Sequence, residues 1–218
     1  MSYRLIIFDW DGTLIDSEAH IVSCFQKAAQ DLKLRPLSHA VVRNIIGLGL
    51  IEACAALLPE LDISDRNAVV DRYRHHYFQG SVPAPSSLFP GVEETLQQLH
   101  ENGYLLAVAT GKSRRGLDRG LQETNLGRFF HTTRCADETR SKPNPQMLQE
   151  ILEELDILPG HAVMIGDTEY DMEMAHTIAM ARIAVTYGVH EEERLRRWDP
   201  LTCLDDFSGL CTWFCGNR

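Results

Sequence analysis

The stretch Leu5-Ile6-Ile7-Phe8-Asp9-Trp10-Asp11-Gly12-Thr13-Leu14 decides the fold. Its apolar run reads as a strand of a sheet covered on both faces. The run stops at a carboxylate, a second carboxylate follows one residue later, and glycine then permits a backbone conformation that a Cβ would resist. In an open α/β sheet ligands bind beyond the carboxyl ends of the strands, so Asp9 and Asp11 are already aimed at a site. Two acids so spaced can divide the work, one attacking or binding metal and the other exchanging protons with a leaving group. Read alone, the same residues also fit an acidic turn that ends a strand.

Outward from this stretch, short apolar runs alternate with amphipathic ones. Strands are expected at residues 4–8, 104–109, 131–135, 162–165 and 181–185, and helical stripes at Ile21/Phe25/Ala28/Leu32, Val92/Leu96/Leu99 and Met147/Leu148/Ile151/Leu152/Leu155. The pattern predicts an α/β protein with a Rossmann-like doubly wound parallel sheet. Between the first two strands the alternation fails, because residues 16–85 read as four helices with no convincing strand. That stretch is too long for a connection and closes in the stiff Ser81-Val82-Pro83-Ala84-Pro85-Ser86. The expected organisation is an α/β core of residues 1–15 and 86–218 carrying an inserted α-helical bundle cap, residues 16–85. The tail from Leu201 is expected to be a short helix covering the sheet, with Trp213 and Phe214 as packing residues.

The 218 residues are 44% apolar, enough for a real core, and carry a formal net charge of −10. That balance offers nothing to phosphate backbones or anionic membranes, so neither nucleic acid nor membrane is an expected partner. No apolar run is long enough to span a bilayer, and residues 1–4 lack a leader's basic and apolar regions, so a cytoplasmic protein is expected. The six cysteines show no metal or paired spacing and read as free thiols. Arg43, His75 and His76 read as solvated side chains of the inserted helices, Gly47-Leu48-Gly49 as a turn between two of them, and residues 191–197 as a solvated helix.

Three more strand ends carry matching chemistry. Thr110-Gly111 offers a hydroxyl and accessible backbone N–H groups before a helix N-terminus. Lys142 lies in a proline-stiffened loop after the third strand. Gly166-Asp167 and Asp171 set two acids about one helical turn apart, where acid also suits the helix dipole. Asp9, Asp11, Asp167 and Asp171 at one rim repel each other unless a cation compensates. Oxygen-only ligands with no His/Cys cluster point to Mg²⁺ as that cation. Lys142 and the Thr110 region could then hold the other oxygens of a phosphate.

These residues resemble the motifs of haloacid dehalogenase-superfamily phosphatases, in particular the phosphoglycolate phosphatase-like group with a helical cap, over nearly the whole chain. Asp9-Trp10-Asp11-Gly12-Thr13-Leu14 matches the first motif, Thr110 the second, Lys142 the third, and Gly166-Asp167 with Asp171 the fourth. The resemblance implies a Mg²⁺-dependent phosphatase of a small phosphorylated metabolite. In it Asp9 is nucleophile and metal ligand, while Asp11 is general acid/base and lends its backbone carbonyl to the metal. Asp167 and Asp171 complete that site, and Thr110, Gly111 and Lys142 bind the phosphoryl group. Gly111 departs from the asparagine common after the threonine. A sugar-phosphate mutase of the β-phosphoglucomutase kind, a pyrophosphatase, a metal-free 2-haloacid dehalogenase and a non-catalytic regulatory module are the competing readings. Asp11 argues against the dehalogenase, the full set of acids argues against the non-catalytic module, and a monomer or homodimer is expected.

Overall fold

The computed structural model describes residues 3–79 and 87–216. Six strands form one sheet in the order β5-β4-β1-β6-β7-β8, every neighbouring pair parallel. They are β1 (Leu5–Phe8), β4 (Leu105–Thr110), β5 (Thr132–Cys135), β6 (Ala162–Gly166), β7 (Ala181–Val185) and β8 (Cys203–Leu204). The chain winds outward from β1 through β4 to β5, then crosses back to β6 and winds the other way. That reversal leaves the crevice beside β1 at which a doubly wound sheet binds its ligand.

Alternation along β1 sends its side chains to two cores. Ile6 and Phe8 pack with Val92, Leu96 and Leu99 of α5 (Val92–Glu101), Leu117 of α6 (Arg114–Thr124) and Phe214 of α10 (Gly209–Gly216). Leu5 and Ile7 face the other way, against Met147 and Ile151 of α7 (Gln146–Glu154) and Met174 of α8 (Glu169–Thr177). With all four residues of β1 wholly buried, each side chain contributes about 1.5–3 kcal/mol of transfer free energy.

The inserted segment has its own core. In it α1 (Glu18–Asp31), α2 (His39–Arg43), α3 (Leu50–Leu57) and α4 (Ile63–Phe78) bring together Phe25, Val42, Leu57 and Val69, with Val189 joining from beyond β7. Ser38 and Asp62 cap α2 and α4 by accepting the backbone N–H three residues on, the usual way to satisfy a helix's first donors. Where the segment leaves and rejoins the sheet, β2 (Ile15–Asp16) pairs antiparallel with β3 (Ser87–Leu88). The turn-rich connector at residues 81–86 lies outside the described residues.

Three expectations change. The tail is not helix alone, because Cys203–Leu204 first adds a strand to the sheet edge. His76 is buried and bonds Asp31 at 2.8 Å through Nε2, so this helix face looks inward. The stretch after Glu191 forms α9 (Glu192–Arg196), which buries Leu195 completely. Cys24, Cys54 and Cys135 are buried thiols whose pKa burial pushes up to about 12. The Cys215 side chain lies outside the description.

Candidate active site

Four strand-end segments converge on the crevice. Asp9 follows β1 directly, is 1% exposed, and anchors its N–H to the Ile165 carbonyl of β6 at 2.9 Å. Gly12 then takes φ +82°, and a Cβ there would stand 2.1 Å from Asp167 Oδ2. Glycine is required at this position both by conformation and by the closeness of that carboxylate. Thr13 completes the turn by donating from Oγ1 to Asp167 Oδ1 at 2.7 Å, while Val189 N–H donates to Oδ2 at 2.8 Å.

After β6, Thr168 caps α8 and Asp171 closes a capping box, accepting on Oδ2 from the Thr168 hydroxyl at 2.7 Å and its N–H at 3.1 Å. Asp171 is therefore a cap residue, as the dipole argument allows, and also a site residue. Its Oδ1 accepts from Lys142 Nζ at 2.6 Å, and the same ammonium stands 2.7 Å from Asp9 Oδ1. Carboxylate oxygens of Asp9, Asp167 and Asp171 lie within 4.8 Å of one another, all buried.

Burial dominates the electrostatics. It raises Asp9 well above the ordinary carboxylate range, the Asp171 and Asp167 charges add to this, and Lys142 opposes it. Asp167 is pushed up to about 7, again chiefly by burial and then by Asp171. For Lys142, burial alone would lower the pKa, but Asp171 and Asp9 hold it raised. Apart from the Lys142 ammonium 2.7 Å from Oδ1, neither oxygen of the buried Asp9 carboxylate has a partner, fewer donors than a buried carboxylate usually has. Three carboxylate donors, one of them held only by Lys142, fit a hard divalent cation, and among the described residues no thiol or imidazole joins the group.

Asp11 stands apart from this trio. Its Oδ1 accepts from Lys112 Nζ at 2.8 Å and from Ser17 Oγ at 2.5 Å, and Lys112 also donates to the Tyr77 hydroxyl of α4 at 2.8 Å. Tyr77 is thus linked through Lys112 to Asp11. The sequence reading passed over Ser17, Lys112 and Tyr77. The one local signal was a lysine two residues beyond Thr110. Thr110 is fully buried at the end of β4, with Oγ1 accepting from Lys112 N–H at 3.2 Å.

The inserted helices close over this arrangement. The Gly47-Leu48-Gly49 turn lies directly on Gly111, and Gly49 N–H donates to Ser141 Oγ, beside Lys142, at 2.7 Å. Arg43 is not a solvated side chain. It donates to Glu18 at 3.1 Å, Glu191 at 3.0 Å and the Gly188 carbonyl at 3.0 Å. Next to it, the Asn44 carbonyl accepts from Tyr170 Oη at 2.9 Å and its side chain from Arg194 at 2.5 Å. The end of α2 is thereby fastened to the segment after β7. Between the two layers lies a cavity of about 140 Å³ with Asp9, Asp11, Thr110 and Gly111 on its wall.

A sheet of this order, with its acids and one lysine gathered at the strand ends, defines a family of hydrolases. The chain belongs to the haloacid dehalogenase-like hydrolases, whose family model matches residues 6–185. Within that family it is a phosphatase of the phosphoglycolate phosphatase-like kind. It is 36% identical over 208 residues to the Dickeya dadantii protein named "Probable phosphatase IndB", covering 94% of this chain and 90% of that one. A phosphoglycolate phosphatase of Agrobacterium fabrum is 30% identical over 214 residues, again covering 94% and 90%. The fold matches the crystal structure of a predicted phosphoglycolate phosphatase from Haemophilus somnus with a TM-score of 0.88 at 24% identity, covering 98% of each chain.

Proposed function

We propose that this chain hydrolyses a small phosphomonoester in a Mg²⁺-dependent reaction with Asp9 as nucleophile. The observation that carries this reading is the buried Asp9 carboxylate, held by Lys142 alone, within the trio it forms with Asp167 and Asp171. In this reading residues 16–85 form the cap, and residues 1–15 with 86–218 form the catalytic core. Mg²⁺ bound by Asp9, Asp167, Asp171 and the Asp11 carbonyl supplies positive charge against the acids and the phosphoryl oxygens.

Phosphate monoester hydrolysis can need rate factors of up to ~10²¹, so several groups must act together. An Asp9 oxygen attacks phosphorus and the ester P–O bond breaks. The departing alkoxide takes a proton from Asp11 and leaves as an alcohol. Water then attacks the aspartyl-phosphate, gives its proton to Asp11, and displaces the Asp9 carboxylate from phosphorus. Lys142, the Thr110 hydroxyl and the Gly111 N–H hold the phosphoryl oxygens throughout. The closed cap excludes bulk water while this happens.

A dehalogenase would have no use for an acid built as Asp11 is, with two directed donors on one oxygen. The reading places the protein in the cytoplasm as a monomer or homodimer, acting on a small phosphorylated metabolite with neither nucleic acid nor membrane as partner. The net charge of −10 supports this, as does the absence, among the described residues, of a helix long and apolar enough to cross a membrane. The test is phosphate release from simple esters with Mg²⁺ and with chelator, in the native chain and in Asp9→Asn. Release is expected only from the native chain with metal, with Asp9→Asn slower by about 10³-fold or more. Undiminished release under chelation, or by Asp9→Asn, overturns the reading.

A further inference from the structure

We infer that the ester hydrolysed here carries an uncharged leaving group with a compact apolar body no larger than one ring, and not a carboxylate. This deepens the phosphatase reading and rests on it.

Beyond the acids and the phosphate loop, the cavity wall comes mainly from the inserted helices. Its leaving-group side is formed by Ile21, Phe25, Ile45, Leu48, Tyr73 and Tyr77. Three of these, Ile21, Phe25 and Ile45, are each at most 6% exposed, so they are set in the cap's own core and not free to swing aside. Tyr73 packs on Phe25 with ring centroids 4.4 Å apart and stacks on Tyr77 at 5.7 Å, giving the wall a continuous aromatic face. The cavity of about 140 Å³ includes the phosphoryl site, so the leaving group has less room than the ~150 Å³ that takes up benzene in a wholly apolar cavity.

A carboxylate would find little counter-charge here. Among the described lining residues the cations are Lys112 and Arg74. Lys112 is already committed to Asp11 and Tyr77. Arg74 lies 3.6 Å from Asp71 with half its side chain in solvent. Glu52 and Asp137 on the same wall add negative charge. Arg43 of α2 is spent on Glu18, Glu191 and the Gly188 carbonyl. A substrate carboxylate would therefore lose its water with only Arg74, half exposed and facing Asp71, as a counter-charge.

Three alkyl esters separate charge from apolar bulk: benzyl phosphate, ethyl phosphate and phosphoglycolate, each assayed by phosphate release with Mg²⁺ and ranked by kcat/KM. One added methylene in an apolar pocket is worth ~10-fold or more. Benzyl phosphate is thus expected to exceed ethyl phosphate by at least ~10-fold, and ethyl phosphate to exceed phosphoglycolate. In Leu48→Lys, which sets a cation on the wall, the ratio of phosphoglycolate to ethyl phosphate should rise. Phosphoglycolate turned over as well as or better than benzyl phosphate overturns the inference and leaves the phosphatase reading standing. Absence of Mg²⁺-dependent release from all three overturns both.

Discussion

Gly111 and Gly47 touch across the boundary between sheet and cap at a separation that only glycine allows. A Cβ on residue 111 would stand 2.5 Å from the Gly47 carbonyl oxygen and 2.6 Å from that of Leu48. An asparagine side chain at this position has no room while the inserted helices rest on the sheet. Gly111→Asn should therefore hold the cap off the site. Overpacking of this kind costs about 1–3 kcal/mol, so KM for a phosphomonoester should rise about 5- to 100-fold with the chain still folded. Unchanged steady-state kinetics would show that the closed contact is not used in turnover.

Lys142 is a wholly buried cation between two buried acids. Removing it in Lys142→Met strands Asp9 and Asp171 without a counter-charge, and breaking such a buried pair costs about 3–5 kcal/mol. Urea unfolding without added metal should show a loss of that size. A change below about 1 kcal/mol would be what an exposed pair gives, and would contradict the buried geometry.

Lys112 orients Asp11 and does not itself need to meet the phosphoryl group. Lys112→Met should lower kcat by about 10- to 100-fold, within the range that a well-placed acid/base contributes, and should also alter the pH profile of kcat. Tyr77→Phe, which leaves the Lys112–Asp11 pair in place, should have a smaller effect. Equal losses in the two variants would assign the role to the tyrosine hydroxyl.

The pair Arg114–Glu138 ties α6 to the end of β5, with Glu138 also accepting from Cys135 N–H at 3.0 Å. The hydrogen bond from Arg114 holds the Glu138 carboxyl below its usual 4.5. A depressed acid contributes stability that is fully present above its unfolded pKa and lost as pH falls through its lower folded value. Thermal unfolding between pH 6 and about 3 should therefore fall less steeply in Glu138→Gln than in the native chain. Parallel curves would mean that the pair contributes nothing to acid sensitivity.

The sheet and the position of the chemistry were legible because both follow local rules. Apolar runs such as Leu5–Phe8 and the one opening Ala162–Gly166 announce themselves, and a carboxylate or threonine at a strand end is placed by the end of the run. Strands β2, β3 and β8 were not legible, since two residues each carry no periodicity. Ser17, Lys112 and Tyr77 were missed for a different reason. Lys112 lies 101 residues from Asp11 and 35 from Tyr77 in the chain, and their meeting depends on how the cap rests on the sheet. Arg43 and His76 sit on helices whose exposed and inward faces are weakly marked. What decides each is a distant partner, Gly188 and Glu191 for the arginine and Asp31 for the histidine.

The two-rung ladder that joins Ile15 to Leu88 and Asp16 to Ser87 makes the helical insertion a cassette. Both ends of roughly seventy residues leave the chemistry-bearing half at one spot. The same spot is where one insertion can be exchanged for another of different lining. A graft between residues 16 and 87 would change the apolar wall while keeping Asp9, Lys142, Asp167 and Asp171, and would have to replace the Tyr77 contact to Lys112.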